Sequence, residues 1–225
     1  LNQFEKVYGD ITNFHVLALL PAYMERPGSS LVSMAEYFIK KSKSNHSGTY
    51  LYNHEELLSK LQILKNDKKQ VLLLGVTFAL LDLAESGINL PKMDNLIVME
   101  TGGMKGRRKE MIREEVHKTL KTAFHQSVIH SEYGMTELLS QAYSLGNGIF
   151  ECPPWMQILI RDTEDALSYI DYGKTGGVNV IDLANINSCS FIATQDLGKK
   201  YDNQYFEVLG RFENSDILGC NLMVF

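Results

Sequence analysis

Cysteine is scarce in this chain and poorly spaced for cross-linking: Cys152, Cys189 and Cys220 form no CxxC pair and make an odd count. A disulfide framework and a zinc site are therefore set aside, and a reducing, cytoplasmic compartment is expected. A long basic run is also missing. The densest basic stretch, "KGRRKEMIREE", is followed at once by acids, so it reads as a solvated, ion-paired helix face. With a net charge of −5, nucleic acid is not an expected partner. No apolar run is long enough to span a bilayer, since "VLLLGVTFALLDLA" is interrupted by Gly75 and Asp82. The histidines (15, 46, 54, 117, 125 and 130) lack metal-ligand spacing, and His130 reads as packing. There is no internal repeat, no GxxxxGK[ST] phosphate loop and no G-x-G-x-x-G after the first apolar strand. The chain starts at Leu1 without a leader-like segment, and is expected to be a fragment of a longer protein.

What is present is an ordinary globular composition over 225 residues, 44% apolar and 22% charged. "QVLLLGVT" (70–77), "NLIVMET" (95–101) and "SVIHSEYG" (127–134) read as buried strands. Between them, "FALLDLAESG" and "RRKEMIREEVHKTLKTAF" carry apolar residues at helical spacing, the latter with Met111, Ile112, Val116, Leu120 and Phe124 on one face. The fold class expected is α/β, a parallel βαβαβ sheet followed by a smaller, mainly antiparallel β region. The expected division is an α/β part at 1–146 and a mainly β part at 147–225. The first 65 residues are expected to be helical. "SLVSMAEYFIKKSK" is the best case, with Ser30 as cap and Met34, Phe38 and Tyr37 facing inward.

In an open α/β sheet, ligands sit beyond the carboxyl ends of the strands. Three consecutive strands end in polar or Gly-rich sequence, at Gly75, at Glu100 ("ETGG") and at Ser131 ("SEYGMTE"). "YGMTE" offers an aromatic face, a glycine, a hydroxyl and a carboxylate, which suit a nucleotide base, a phosphate and a hard cation. The same five residues also fit a plain strand-to-helix turn with Glu137 at a helix start. Downstream, "ATQDLG" places Asp196 in a turn after a strand, and "GRFENSDILGC" opens with Arg211 at a strand end.

In this order the pieces resemble the adenylate-forming enzyme superfamily: "YGMTE" its adenine motif, "TQDLG" its TGDLG-like motif, "GRFENSDI" its hinge motif and "ETGGMKGRRKEM" its Gly-Gly segment. Within it, the chain looks most like the acyl-protein synthetases of the LuxE type, and next like phenylacetate-CoA ligases. The resemblance spans roughly residues 70–220. It implies ATP-dependent activation of a carboxylic acid, a fatty acid first of all, and transfer of the acyl group to a thiol. The cofactors implied are ATP and Mg²⁺, with CoA as an alternative acceptor. An acyl-transfer or reductase protein is the implied partner. By matching position, Gly102 and Gly103 would line the adenine pocket, with Tyr133 and Gly134 at the base. Thr136 would bind the α-phosphate, Glu137 would hold Mg²⁺, and Asp196 would bind the ribose hydroxyls with Arg211 assisting. Cys220 would accept the acyl group, although a buried structural cysteine is the competing reading. Cys152 and Cys189 read as structural. Gly75 and Phe78, together with Leu80, could line an acyl pocket or simply fill the core. A TSGTTG-like loop is missing, and Gln195 and Leu218 stand where many relatives carry glycine and a basic residue. A non-catalytic module of the same fold is the other reading left open.

Overall fold

The computed structural model of the chain describes residues 1–21, 28–104, 108–109 and 111–212. Cys220, Leu218 and residues 105–107 of the Gly-Gly segment lie outside the described residues. In chain order the elements are α1 (Asn2–Tyr8), β1 (Phe14–Leu19), α2 (Ser30–Ser42), β2 (Gly48–Tyr50), α3 (His54–Leu64), β3 (Gln70–Val76) and α4 (Thr77–Glu85). They continue with β4 (Leu96–Thr101), α5 (Arg113–Phe124), β5 (His130–Tyr133), β6 (Ala142–Ser144), β7 (Ile149–Glu151), β8 (Met156–Arg161), β9 (Thr175–Asp182), β10 (Phe191–Lys200) and β11 (Tyr205–Arg211).

The described strands form one sheet in the order β2-β1-β3-β4-β5-β6-β7-β11-β10-β9-β8. From β2 through β5 every pairing is parallel, and from β5 onward every pairing is antiparallel. The α/β class and the parallel βαβαβ unit, β3-α4-β4-α5-β5, are therefore as expected. So is the antiparallel region that follows.

Three local expectations are corrected. The first 65 residues are not all helical, because β1 and β2 lie among them. All six residues of β1 are buried, so covering both faces erased the alternation that marks a strand. The helix expected from residue 107 begins only at Arg113, with Glu114 and Glu115 in its first turn, and Ile112 is exposed before it. On α2 the cap is Ser29, whose Oγ accepts from Val32 N–H at 3.3 Å, and Tyr37 is exposed while Phe38 is buried.

Two buried apolar clusters flank the change of strand direction. The larger gathers β1, β3, β4 and the helices around Phe4, Phe38, Leu73 and Leu120. The smaller gathers β8, β9 and β11 around Phe150, Ile158, Val178 and Phe206, and Tyr133 from the end of β5 belongs to it.

Candidate functional site

The register sets the three polar strand ends side by side. Gly75 on β3 is opposite Glu100 on β4, and Glu100 is opposite Ser131 on β5. Glu100 is 6% exposed, and a carboxylate so buried must be paired or hydrogen-bonded. Thr77 at the start of α4 donates its hydroxyl to Glu100 Oε2 at 2.8 Å. Arg113 Nε and His117 Nε2, one turn apart on α5, approach Glu100 Oε1 at 3.7 and 3.6 Å. Burial pushes the Glu100 carboxyl up, but His117, the Arg113 guanidinium and Ser131 outweigh it and hold the group below its ordinary 4.5. Beside it Thr101 donates its hydroxyl to the buried Glu132. Arg113 also reaches across the seam, donating to the Val208 carbonyl at 2.8 Å and lying 5.1 Å over the Phe150 ring. Glu100 is marked in the sequence by its strand end, whereas Arg113 and His117 are not. Their signal was a cation and an imidazole spaced i, i+4 on the inward face of a helix.

On the antiparallel side, Tyr133 donates its hydroxyl to Asp196 Oδ2 at 2.8 Å, joining "YGMTE" to "TQDLG" across the seam. The ring is 9% exposed and packs against Phe150 and Phe206, with centroids at 5.9 and 5.5 Å. Burial, then the Asp196 charge, pushes the Tyr133 hydroxyl well above its ordinary value. Asp196 does not sit in a turn: it lies inside β10, where the pairing to β9 shifts register between Ala193 and Leu197. That irregularity re-aims a side chain within a continuous strand, which is why a turn was expected there. Arg211 is the cross-strand partner of Asp196, with Nε 3.5 Å from Oδ1. Burial raises the Asp196 carboxyl above its ordinary value, and Tyr133 and Arg211 only partly counter it.

Past Tyr133 the chain forms a turn, not a helix start: Thr136 and Glu137 are turn residues, and Glu137 is exposed. Thr136 Oγ1 lies 3.4 Å from Ser30 Oγ of α2. A Cβ on Gly134 would fall 2.5 Å from Glu132 Oε1, so a larger residue there requires the Glu132 carboxylate to shift. Gly102 has φ 75° at the end of β4, a conformation glycine adopts freely, and Gly103 follows half-buried. Phe78 and Leu80 are buried in the larger core, and the Leu80 side chain covers Gly75. His130 is a packing residue hydrogen-bonded through Nδ1 to the Tyr8 hydroxyl at 3.1 Å. Cys152 is buried, and its thiol is pushed up to about 12 by burial, which suits a structural role. Cys189 is exposed rather than built into the core. Among the described residues, no helix is long and apolar enough to cross a membrane.

No family model matches the chain, and no curated protein matches it. Solved structures do. ATP-bound MatB from Rhodopseudomonas palustris superposes with a TM-score of 0.65 at 16% identity over 93% of this chain. A benzoate CoA ligase from Burkholderia xenovorans LB400 gives 0.57 at 14% identity over 93%. An open conformation of 2-hydroxyisobutyryl-CoA ligase in complex with 2-HIB-AMP and CoA gives 0.64 at 14% identity over 89%. The chain spans 42%, 45% and 49% of those chains, respectively. At such identities the likeness is one of fold: this chain has the fold of part of an adenylate-forming CoA ligase.

Proposed function

We propose that the chain is the nucleotide-binding part of an ATP-dependent carboxylate-activating ligase. The observation that carries this reading is the Tyr133 hydroxyl on Asp196 at 2.8 Å with Arg211 on the other oxygen, because it gathers three separate motifs at the seam of the sheet. A carboxylate oxygen pair has about four acceptor positions. Tyr133 and Arg211 use part of that capacity, and the remainder can accept ribose hydroxyls. Tyr133 and Gly134, with Gly102 and Gly103, border the adenine. Thr136 presents its hydroxyl to the α-phosphate. An acyl-side role for Gly75 and Phe78 requires the core to open, since the Leu80 side chain covers Gly75 and Phe78 is buried.

Mg²⁺ is usually bound by one or two carboxylates together with substrate phosphates rather than by an all-protein cage. Among the described residues no cluster of three or more His, Cys, Asp or Glu could hold a metal, while Glu137 is an exposed carboxylate next to Thr136. That donor set fits Mg²⁺ arriving with ATP and held by Glu137, where the ion would offset phosphate charge. The substrate carboxylate forms a bond to the α-phosphorus as the bond to pyrophosphate breaks. A thiol then takes the acyl group and AMP leaves. In the finer reading the acid is a fatty acid and the protein is a cytoplasmic acyl-protein synthetase of the LuxE type, with Cys220 as acceptor and an acyl-transfer or reductase protein downstream. The alternative acceptor is CoA, as in a phenylacetate-type ligase, and the fold likeness to CoA ligases favours that alternative. The division into residues 1–146 and 147–225 belongs to the same proposal.

The test is ATP–pyrophosphate exchange by the full-length protein with fatty and aromatic acids, followed by mass spectrometry of the protein. Exchange with one acid class and acyl mass on the Cys220 peptide is the outcome expected of an acyl-protein synthetase. Exchange without protein acylation moves the acceptor to CoA. No exchange with any acid overturns the enzyme reading in favour of a non-catalytic module.

A further inference from the structure

Residues 134–141 carry the Thr136–Glu137 turn and are neither helix nor strand. Locally the backbone closes through Leu138 N–H to the Met135 carbonyl at 3.1 Å. Further anchoring comes from side chains distant in sequence. Asn185 Nδ2 donates to the Glu137 carbonyl at 2.6 Å, and Asn185 Oδ1 accepts from Leu139 N–H at 2.8 Å. One primary amide thus satisfies a carbonyl and an N–H two residues apart, as a neighbouring strand would. Asp182 is fully buried and takes Ser140 N–H at 3.0 Å on Oδ2 and the Ser140 hydroxyl at 2.7 Å on Oδ1. Trp155 Nε1–H donates to the same Ser140 hydroxyl at 2.8 Å. Asp182 ends β9, Asn185 closes the short 3₁₀ turn Leu183–Asn185, and the chain then enters β10, which bears Asp196.

We propose that Asn185 and Asp182 are positioning residues that fix the Thr136–Glu137 turn relative to Asp196, so that the phosphate and ribose contacts of one nucleotide are held by a single β9–β10 connection. The proposal rests on the reading of that turn as a nucleotide site. A slip of the turn by one residue would break both Asn185 bonds and leave the buried Asp182 carboxylate short of donors, which is costly. The arrangement therefore admits one register. The bonds end on the backbone of Glu137 and Leu139 rather than on the Glu137 carboxylate, so the acid stays exposed for a ligand while its position is fixed.

A comparable clamp elsewhere serves as control. Asn95, just before β4, donates through Nδ2 to the carbonyls of Leu64, Asp67 and Lys69 at 3.1, 3.2 and 3.0 Å, at the opposite end of the strands from the site. The experiment uses the full-length protein with Asn185→Asp, Asn185→Ala and Asn95→Ala. Ser140→Ala is a milder variant that keeps the N–H and stands in if the Asn185 variants do not fold. Amide hydrogen exchange of the peptide covering residues 134–141 is measured first. The Asn185 variants are expected to speed it by about tenfold or more while leaving 70–76 unchanged. ATP–pyrophosphate exchange is measured next. Asn185→Asp is expected to raise half-saturating Mg·ATP and lower kcat by about tenfold each. The KM for the acid should move by less than about twofold, since the lost interaction lies on the nucleotide.

Asn95→Ala should lower the melting temperature without that Mg·ATP shift. Unchanged exchange over 134–141 overturns the clamp. Faster exchange with the same Mg·ATP shift in Asn95→Ala overturns the positioning role and leaves a structural one. If the unsubstituted protein neither binds ATP nor exchanges pyrophosphate, the nucleotide reading falls and the positioning role falls with it. The hydrogen-exchange result then still decides whether the clamp itself exists.

Discussion

The two halves of the sheet handle buried acid in opposite ways. In the parallel half, strands are covered on both faces, and Glu100 is enclosed by Thr77, Arg113 and His117 until its carboxyl lies below the ordinary value. In the antiparallel half, β8 alternates buried residues with more accessible ones, and Asp196 lies at the edge of a small core with its carboxyl raised. The first acid is a finished structural contact, stabilised by being ionised. The second is ionised at a cost, with an exposed arginine as its only ion pair among the described residues. A carboxylate raised by burial and paired with a specific cation is a candidate for ligand contact, and Asp196 meets both conditions.

The largest expected effect tests the finished contact. Glu100→Ala removes the acceptor of Thr77 and leaves Arg113 and His117 facing an apolar gap. Breaking a buried pair from one side costs about 3 kcal/mol, or about 10 °C in melting temperature for a chain of this size. The pH dependence has a definite sign. Because the folded value is depressed, the contribution is fully present above the unfolded value near 4.5 and disappears as pH falls through the folded one. Thermal melts from pH 7 downward should show the native protein losing this increment below about 4.5, and Glu100→Gln lacking that loss. A Glu100→Ala protein as stable as its parent would dissolve the contrast between the halves.

An intermediate effect lies on the link between them. Tyr133→Phe keeps the packing on Phe150 and Phe206 and deletes the hydroxyl bound to Asp196. One such hydrogen bond is worth about 1 kcal/mol, so denaturant melts should register a loss of that order. Nucleotide binding should weaken by about tenfold as well, since an Asp196 without its orienting partner no longer points at one position. Weakened stability with unchanged ATP binding would separate the seam contact from the site.

Much of this was legible in the sequence, for a physical reason. The β3-α4-β4-α5-β5 unit shows because parallel strands read as unbroken apolar runs and the intervening helices keep a 3.6 period. The motifs at 102–103 and 133–137 follow the paired strands β4 and β5, and the Tyr133 hydroxyl joins Asp196 to them across the seam. What was hidden depends on distance or context. β1 is a short run buried on both faces, and such a run carries no period to separate strand from helix. Asp196 resembles a turn residue in the sequence because a register shift inside a strand uses the same small and polar residues as a turn. The partners of Ser140 and Glu137 lie 42 and 48 residues away, and no local pattern announces that "DLAN" will clamp "TELLS".

The smallest effect has the opposite sign from the others, and it is the sharpest test of the comparison. Burial, opposed by Tyr133 and Arg211, raises Asp196 above its ordinary 3.8 in the folded protein. The native state therefore holds that proton more firmly than the unfolded chain does. Above the raised value the ionised carboxylate counts against folding, and the penalty fades as pH falls toward 3.8. Asp196→Asn keeps an acceptor for the Tyr133 hydroxyl and removes the charge. At pH 7 it is expected to raise the melting temperature by about 2 °C, and the difference should close as the pH approaches 4. The same substitution should weaken ATP binding by about tenfold or more, because a charged acceptor for the ribose hydroxyls becomes a neutral one. Higher stability together with poorer nucleotide binding would identify Asp196 as an acid held against its own solvation for a ligand. Lower stability at every pH would mean that the Arg211 pair outweighs burial, and Asp196 would then be a structural contact of the same kind as Glu100.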